Sequence, residues 1–357
     1  MRAQHRDADA ATILEEYLQQ HNADSSVLTE LAKLRIAQKK LTTAQTLLLR
    51  AIDANPESLS ANLLLGHLLL VDHKNPEAMD RFETVLTKDP RNADAGHGEL
   101  NAVTELAMEM RRKQQPELAL KALLHARQAL PDNSSLLLEL GIQETELGMT
   151  TVALESLHHA HTIDPGNPEV IYALARAEMD AQQMSLAESD FRAYLSMRPK
   201  DASAHFGLGR VLEALQRTAD ARAEFMHSLA LQPDQTESNY ELGQMDLEAG
   251  NFDAAEPLFS KTLARDSKHG GALTGMGILA YRRKQYDKAE EWLSQAIDAA
   301  PNYPPAHYYR GLNLARLGRK EESDKELAIA TELDHREQAP AHPLPQDGAS
   351  GTFSNPQ

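Results

Sequence analysis

Residues 239–266 read NYELGQMDLEAGNFDAAEPLFSKTLARD, and this stretch decides the fold. Its apolar residues recur three and four apart, the spacing of one helix face. Ala249, Gly250 and Asn251 interrupt the run with turn chemistry. The stretch therefore predicts two helices joined by a short turn. One such hairpin cannot bury its apolar face alone, so it implies stacked neighbours built the same way.

On either side the arrangement recurs. Prolines in similar settings stand at Pro56, Pro90, Pro131, Pro165, Pro199, Pro233 and Pro301, at intervals of 34, 41, 34, 34, 34 and 68 residues. Ser267 fills the long interval and His335 ends the series. Small residues keep step at Gly66, Gly141, Ala175, Gly209, Gly243, Gly277 and Gly311. A second small series runs Ala44, Ala78, Ala119, Ala153, Ala187, Ala221, Ala255 and Ala289. A third, bulky series runs Leu48, Phe82, Leu123, Leu157, Phe191, Phe225, Phe259, Leu293 and Leu327. The small sites let paired helices approach closely, and the bulky residue plugs the gap beside them. Proline closes each second helix because it restricts the residue before it and lacks the donor to continue.

Composition narrows the function. The 357 residues carry 36 Lys+Arg against 53 Asp+Glu, a net charge of −17, with no cysteine and 5% aromatics. Such length alone would fit two or three globular domains, but the 34-residue frame implies one elongated all-α array. No disulfide, thiolate metal site or cysteine nucleophile exists. The acidic balance argues against a broad nucleic-acid surface, and no apolar run is long enough for a membrane span. The first residues, MRAQHRDADAATILEEY, lack the apolar core of a signal peptide. The expectation is a cytoplasmic protein, or a periplasmic one whose signal has been removed. The acidic, cysteine-free composition fits a bacterial protein.

The pattern resembles the tetratricopeptide repeat (TPR) family. Its signature of glycine or alanine at position eight, alanine at twenty and twenty-seven and proline at thirty-two is matched by Gly277, Ala289, Ala296 and Pro301. The resemblance implies nine units, at 25–58, 59–92, 93–133, 134–167, 168–201, 202–235, 236–269, 270–303 and 304–337. It implies an alpha-alpha superhelix. Residues 1–24 are expected to be a flanking, partly disordered helical segment, and 338–357 a disordered tail rich in Pro, Gly, Ser and Asn. The end units are atypical, with Ala32 for glycine in the first and Ser323 and His335 in the last. The third unit carries seven extra residues within AMEMRRKQQPE, close to two helical turns. They are expected either to form a solvent loop or to lengthen a helix and project Arg111, Arg112 and Lys113 as a contact.

In similar arrays the first helices line a concave groove, and positions five, nine and thirteen face inward. Carried onto this chain, position five gives His97, Tyr172, Phe206 and Tyr240, expected to form an aromatic ladder in its last three members. Position nine gives Asn101, Arg176, Arg210 and Gln244. Position thirteen changes from Glu105, Glu146, Asp180 and Glu248 to Arg282 and Arg316. This mixture suits an extended peptide, with rings supplying rigid contact area. The lysine-then-asparagine pattern of the family's chaperone-binding members does not occur, which argues against a cochaperone role.

No catalytic motif is present: no P-loop, GxSxG, HExxH or dinucleotide fingerprint. His125, His158, His159 and His161 read as exposed side chains rather than metal ligands, and Glu321 and Glu322 as helix-surface charges beside Arg319 and Lys320. No metal and no cofactor are expected. The leading expectation is a non-enzymatic scaffold holding a protein or peptide partner in its groove. The rival is a regulatory or assembly subunit using its convex face or the third unit's insertion, including an accessory to a transferase or secretion system.

Overall fold

The computed structural model describes the backbone of residues 2–21 and 24–338. Those residues form helices only, in two compact units, Met1–Arg198 and Pro199–Gln357. The first holds α1 (Arg2–Gln20), α2 (Ser25–Ala37), α3 (Leu41–Ala54), α4 (Leu59–Val71), α5 (Asn75–Lys88), α6 (Ala93–Arg112), α7 (Pro116–Ala129), α8 (Ser134–Glu146), α9 (Thr150–Ile163), α10 (Pro168–Asp180) and α11 (Met184–Met197). The second holds α12 (Ala202–Ala214), α13 (Thr218–Leu231), α14 (Thr236–Glu248), α15 (Phe252–Arg265), α16 (Gly270–Arg282), α17 (Tyr286–Ala299), α18 (Pro304–Arg316) and α19 (Lys320–Gln338). In each unit every even-numbered helix packs antiparallel-style against the odd-numbered helix that follows it, from α2 with α3 to α18 with α19. Each unit is all-α, a stack of helical hairpins. α1 runs through most of the flanking segment expected at 1–24 and packs on α2, with Glu15 paired to Arg35. Of the tail expected to be disordered, Gln338 is the last residue of α19 and the remainder lies outside the described residues.

The helices start in two different ways. Most first helices of the hairpins are capped by a side chain: Asp24, Ser58, Asn92, Asn133, Asn167, Asp201, Gln235 and His269 each accept from a backbone N–H of the first turn. Such a cap contributes about 1 kcal/mol. The second helices need no such cap, because a fixed turn delivers the chain to them. In each of the nine described hairpins the residue after the first helix's cap is left-handed: Lys39, His73, Gln114, Gly148, Gln182, Gln216, Gly250, Lys284 and Gly318. The next residue donates its N–H back to a carbonyl five residues earlier, as in Lys40 to Arg35 at 2.8 Å and Asn251 to Asp246 at 2.7 Å. These are Schellman closures, which satisfy carbonyls a helix end would leave open. Six of the nine use a side-chain-bearing residue where glycine is the unstrained choice.

The core is built from the three repeating series. Ala44, Ala78, Ala119, Ala153, Ala187, Ala221, Ala255 and Ala289 are all fully buried. The bulky series lies over the small one. A Cβ at Gly243 would stand 2.8 Å from the Phe259 ring, and one at Gly141 2.4 Å from Leu157. Phe82 is gripped on both sides: a Cβ at Gly66 of its own hairpin would come to 2.7 Å of the ring, and one at Gly98 of the next to 2.4 Å. Phe259 sits the same way between Gly243 and Gly275.

The seven-residue insertion lengthens one helix. α6 has 20 residues where its counterparts α4 and α8 have 13, and no loop forms. Leu100 occupies the eighth position, and Ala107, seven residues on, is fully buried. Two extra turns thus return a small residue to the packing face. Of the basic residues expected to project, Arg111 instead lies back on α8. Its Nε donates to Gln143 Oε1 and its Nη2 to Glu139 Oε2, both at 2.8 Å. Arg112 and Lys113 are exposed.

Candidate partner-binding face

Position five of the tenth helix places Tyr172 half-buried on the side of α10 that faces α11. Its ring lies 5.0 Å from that of Tyr194 and 5.9 Å from that of Phe191. Arg176 and Asp180 follow at the next turns of the same helix and are exposed. Together with Ile142, Thr145, Glu146, Glu169, Ala173 and Tyr194, they line a pocket of about 320 Å³ between α8, α10 and α11. Its floor is apolar and aromatic. Its rim carries one guanidinium and three carboxylates, Glu146, Glu169 and Asp180, and Glu169 also pairs with Arg198 at 3.1 Å. Such a cleft accepts an apolar side chain and rewards a neighbouring positive charge. Tyr172, Arg176, Glu146 and Asp180 stand at positions that sequence spacing assigned to the inward face, and they line this one cleft. Spacing missed Tyr194, which comes from the second helix of the hairpin. His97 and Asn101 are exposed on α6.

In the second unit, Phe206 is half-buried on α12 with its ring 5.8 Å from that of Phe225. Arg210, one turn on, bonds Glu241 of α14 at 3.2 Å and lies 3.8 Å from Glu213. Burial pushes Glu241 up to about 7, against the pull of Arg210. Tyr240 has a packing role that position five did not foretell. Its ring stands 4.6 Å from that of His269 and covers Gly271, where a Cβ would fall 2.6 Å from the hydroxyl. The hydroxyl is hydrogen-bonded with Tyr303, and burial above all raises its pKa. Gln244 is half-buried, and its Oε1 has no hydrogen-bond partner. Arg282 is exposed on α16. Arg316 is exposed on α18, and the Tyr281 side chain raises the arginine's pKa further. A second cleft, of about 470 Å³, lies between α18 and α19, walled by Pro304, Pro305, Tyr308, Tyr309, Ala330, Thr331, Asp334 and His335.

Among the described residues, His125, His158, His159 and His161 form no three-ligand cluster. His125 pairs with Glu83 at 2.9 Å and His159 with Asp132 at 3.2 Å. His158 and His161 both face the carboxylate of Asp190, whose pKa burial raises and the two imidazoles lower. Among the described residues no helix is long and apolar enough to cross a membrane.

With helices and clefts defined, the class of protein is that of an all-helical hairpin-repeat array. The tetratricopeptide repeat family model matches residues 29–93, 172–236 and 240–304, more than half of the chain, so the protein belongs to that family. No curated protein sequence matches the chain. Solved structures with the same fold include a tetratricopeptide repeat protein from Parabacteroides merdae, at 18% identity and TM-score 0.52, covering 66% of this chain and 93% of that one. PilW, described as a widely conserved type IV pilus biogenesis factor, is 22% identical with TM-score 0.52 over 58% of this chain and 96% of its own. The APC/C hetero-tetramer Cut9–Hcn1 aligns over 88% of this chain and 63% of the other, at 18% identity and TM-score 0.54.

Proposed function

We propose that the protein is a non-enzymatic scaffold that binds an extended segment of a protein partner in the concave groove lined by its first helices. The observation that carries this reading is the Tyr172 cleft. It joins an apolar floor to a polar rim, and the helices around it are preformed, so the partner alone bears the ordering cost on binding. The rim chemistry favours a segment that inserts an apolar side chain beside a lysine or arginine, with Arg176 left to bond the partner's backbone or an acidic group. In the second unit Arg210, Gln244, Arg282 and Arg316 would extend recognition along the same family of positions, and His97 and Asn101 would do so on α6. Tyr240 and Phe206 would contribute only the edges that packing leaves exposed.

The test is affinity capture from the native cell with the full chain, followed by titration of the captured segment as a synthetic peptide. Tyr172→Ala and Arg176→Glu should each weaken binding about 10-fold or more, the loss expected of a central contact. Unchanged affinity in both would refute the cleft as the seat. A second reading rests on α6, whose added turns expose Met108, Arg112 and Lys113. In that case, removing the seven extra residues would abolish capture while Tyr172→Ala would leave it intact.

A further inference from the structure

At position four of several hairpins a polar side chain turns back to the chain entering the first helix. Asn62 donates to the carbonyl of Pro56 at 2.9 Å and Asn239 to that of Pro233 at 3.3 Å. In two hairpins this position is histidine. His205 Nε2 lies 3.3 Å from the carbonyl of Pro199, and His307 Nε2 lies 2.9 Å from that of Pro301. A carbonyl oxygen can only accept, and Nε2–H is the donor that suits it. The other nitrogen, Nδ1, faces a carboxylate in each case: Glu224 Oε2 at 2.7 Å from His205, and Glu326 Oε2 at 2.6 Å from His307. Both nitrogens of each ring therefore face acceptors. A hydrogen between Nδ1 and the carboxylate satisfies that contact, and a metal ion can take the hydrogen's place.

The two copies then differ. In the last hairpin, Arg310 Nη1 donates to the second oxygen of Glu326 at 2.7 Å, and the position one turn beyond Glu326 is Ile329. The carboxylate is already neutralised there by a guanidinium. In the 202–235 hairpin, the place of Arg310 is taken by the buried Leu208, and the place of Ile329 by His227. His227 Nδ1 stands 3.9 Å from the same Glu224 Oε2, and the His205 and His227 rings are 5.4 Å apart. One ligand atom from each of His205, Glu224 and His227 falls within a common span of 4.8 Å. His205 and Glu224 are mostly buried, whereas His227 is 64% exposed, so an ion could enter from that side.

We propose that His205, Glu224 and His227 form a binding site for a divalent transition-metal ion, with zinc as the fitting occupant. Two imidazoles and one carboxylate are a zinc ligand set, with solvent water in the remaining position. The ligands come from both helices of one hairpin, His205 from α12 and the i, i+3 pair Glu224 and His227 from α13, so the ion clips the hairpin together. The Pro199 carbonyl holds the His205 ring in the tautomer that leaves Nδ1 free to ligate, an outer-sphere arrangement common to metal-bound histidines. Binding replaces the shared proton of the 2.7 Å contact with the ion, so it releases a proton where that ring was doubly protonated. The separation in sequence, H-x18-E-x2-H, matches no short metal motif, so only the paired helices bring the set together.

The experiment uses the full chain, freed of any histidine tag and stripped with chelator. Zinc titration by calorimetry should find one site that His227→Ala weakens about 100-fold, and Glu224→Gln comparably, while the double variant His158→Ala/His161→Ala leaves that site unchanged. Cobalt(II) should give the intense visible bands of a four-coordinate ion, and His227→Ala should lose them. Zinc should slow backbone hydrogen exchange in α12 and α13. His227 is exposed, so His227→Ala keeps the fold, to be checked by circular dichroism. Zinc affinity equal in wild type and folded His227→Ala would overturn the proposal. So would a six-coordinate cobalt spectrum, or exchange in α12 and α13 that zinc does not change.

Discussion

The sharpest test of the packing is Gly98→Ala. An alanine in the middle of a helix is ordinarily favoured over glycine by about 1 kcal/mol. Gly98 lies inside α6, so an open site would make this substitution stabilising. The structure says otherwise, because the new Cβ would lie 2.4 Å from Phe82 Cζ and 2.5 Å from Cε1. Carbon atoms rest at about 3.5–4.0 Å, so the ring would have to move by more than an ångström. It has little room to move, since it also rests on Gly66, where a Cβ would stand 2.7 Å from the ring. Overpacking of this kind costs about 1–3 kcal/mol. At the upper end of that range, less the helix gain, the net loss is about 1–2 kcal/mol.

The companion variant Phe82→Leu trims the ring to the residue that other hairpins carry there, at a cost of about 1 kcal/mol by itself. In that background Gly98→Ala should cease to be harmful and recover its helix preference. The cycle therefore predicts a coupling energy of about 2 kcal/mol, within the range of contacting residues. A stack of repeats need not unfold in one step, so the readout is hydrogen exchange by mass spectrometry on peptides from α5 and α6. A loss of 1–2 kcal/mol appears as a roughly 5- to 30-fold faster exchange through opening. Slower exchange in Gly98→Ala, or the same change with and without Phe82→Leu, would refute the two-sided grip on the ring.

Three further outcomes follow from the packing. Glu99 is fully buried, neither of its carboxylate oxygens has a hydrogen-bond partner, and desolvation raises its pKa to about 8, helped by Glu83 and Asp80. The folded chain thus holds this proton more tightly than the unfolded chain, whose pKa is 4.5. The stability it contributes is complete below about 4.5 and lost as pH rises to about 8. Glu99→Gln should therefore raise the melting temperature at about pH 8 and leave it nearly unchanged at about pH 4.5, and equal shifts at both would contradict this. Replacing Gln182, Gln216 or Lys284 by glycine should stabilise by about 0.5–1 kcal/mol each, because a left-handed L-residue costs roughly 1–2 kcal/mol and glycine gives part of that back as chain entropy. Gly148→Ala should move the urea midpoint the opposite way. Arg111→Lys keeps the charge but loses the two-pronged bond to Glu139 and Gln143, and should speed exchange in the middle and last turns of α8 by about 5-fold, near 1 kcal/mol.

The frame of the fold was legible because it rests on residues with few alternatives. Gly66 and Gly243 face rings that any Cβ would strike, and the alanine series is fully buried, so these small residues carried the period openly. The turns were legible only where they use Gly250. Lys39, His73 and Gln216 hold the same left-handed geometry, but nothing in their chemistry announces it. Half of the Tyr172 cleft could be read from spacing along α10. Tyr194 could not, since it reaches the cleft from the neighbouring helix. Tyr240 was legible by position but not by role, because its partners Gly271 and Tyr303 lie in the following hairpin. The direction of Arg111 depended on Glu139 and Gln143, 28 and 32 residues further on.

Phe82 and Phe259 are each covered by glycines of two successive hairpins, so these rings are common property. A chain cut after such a hairpin would bare one face of a large aromatic ring to water. The leucines of the same position each face one glycine of their own hairpin: Leu157 faces Gly141, Leu293 faces Gly277 and Leu327 faces Gly311. Leu327 belongs to the α18–α19 hairpin, after which no further helix follows among the described residues, and it is half-buried. The bulky series thus doubles as a guide for shortening or splicing the array. Boundaries behind Phe82 or Phe259 should yield sticky pieces, because each would uncover a ring that two glycines now face.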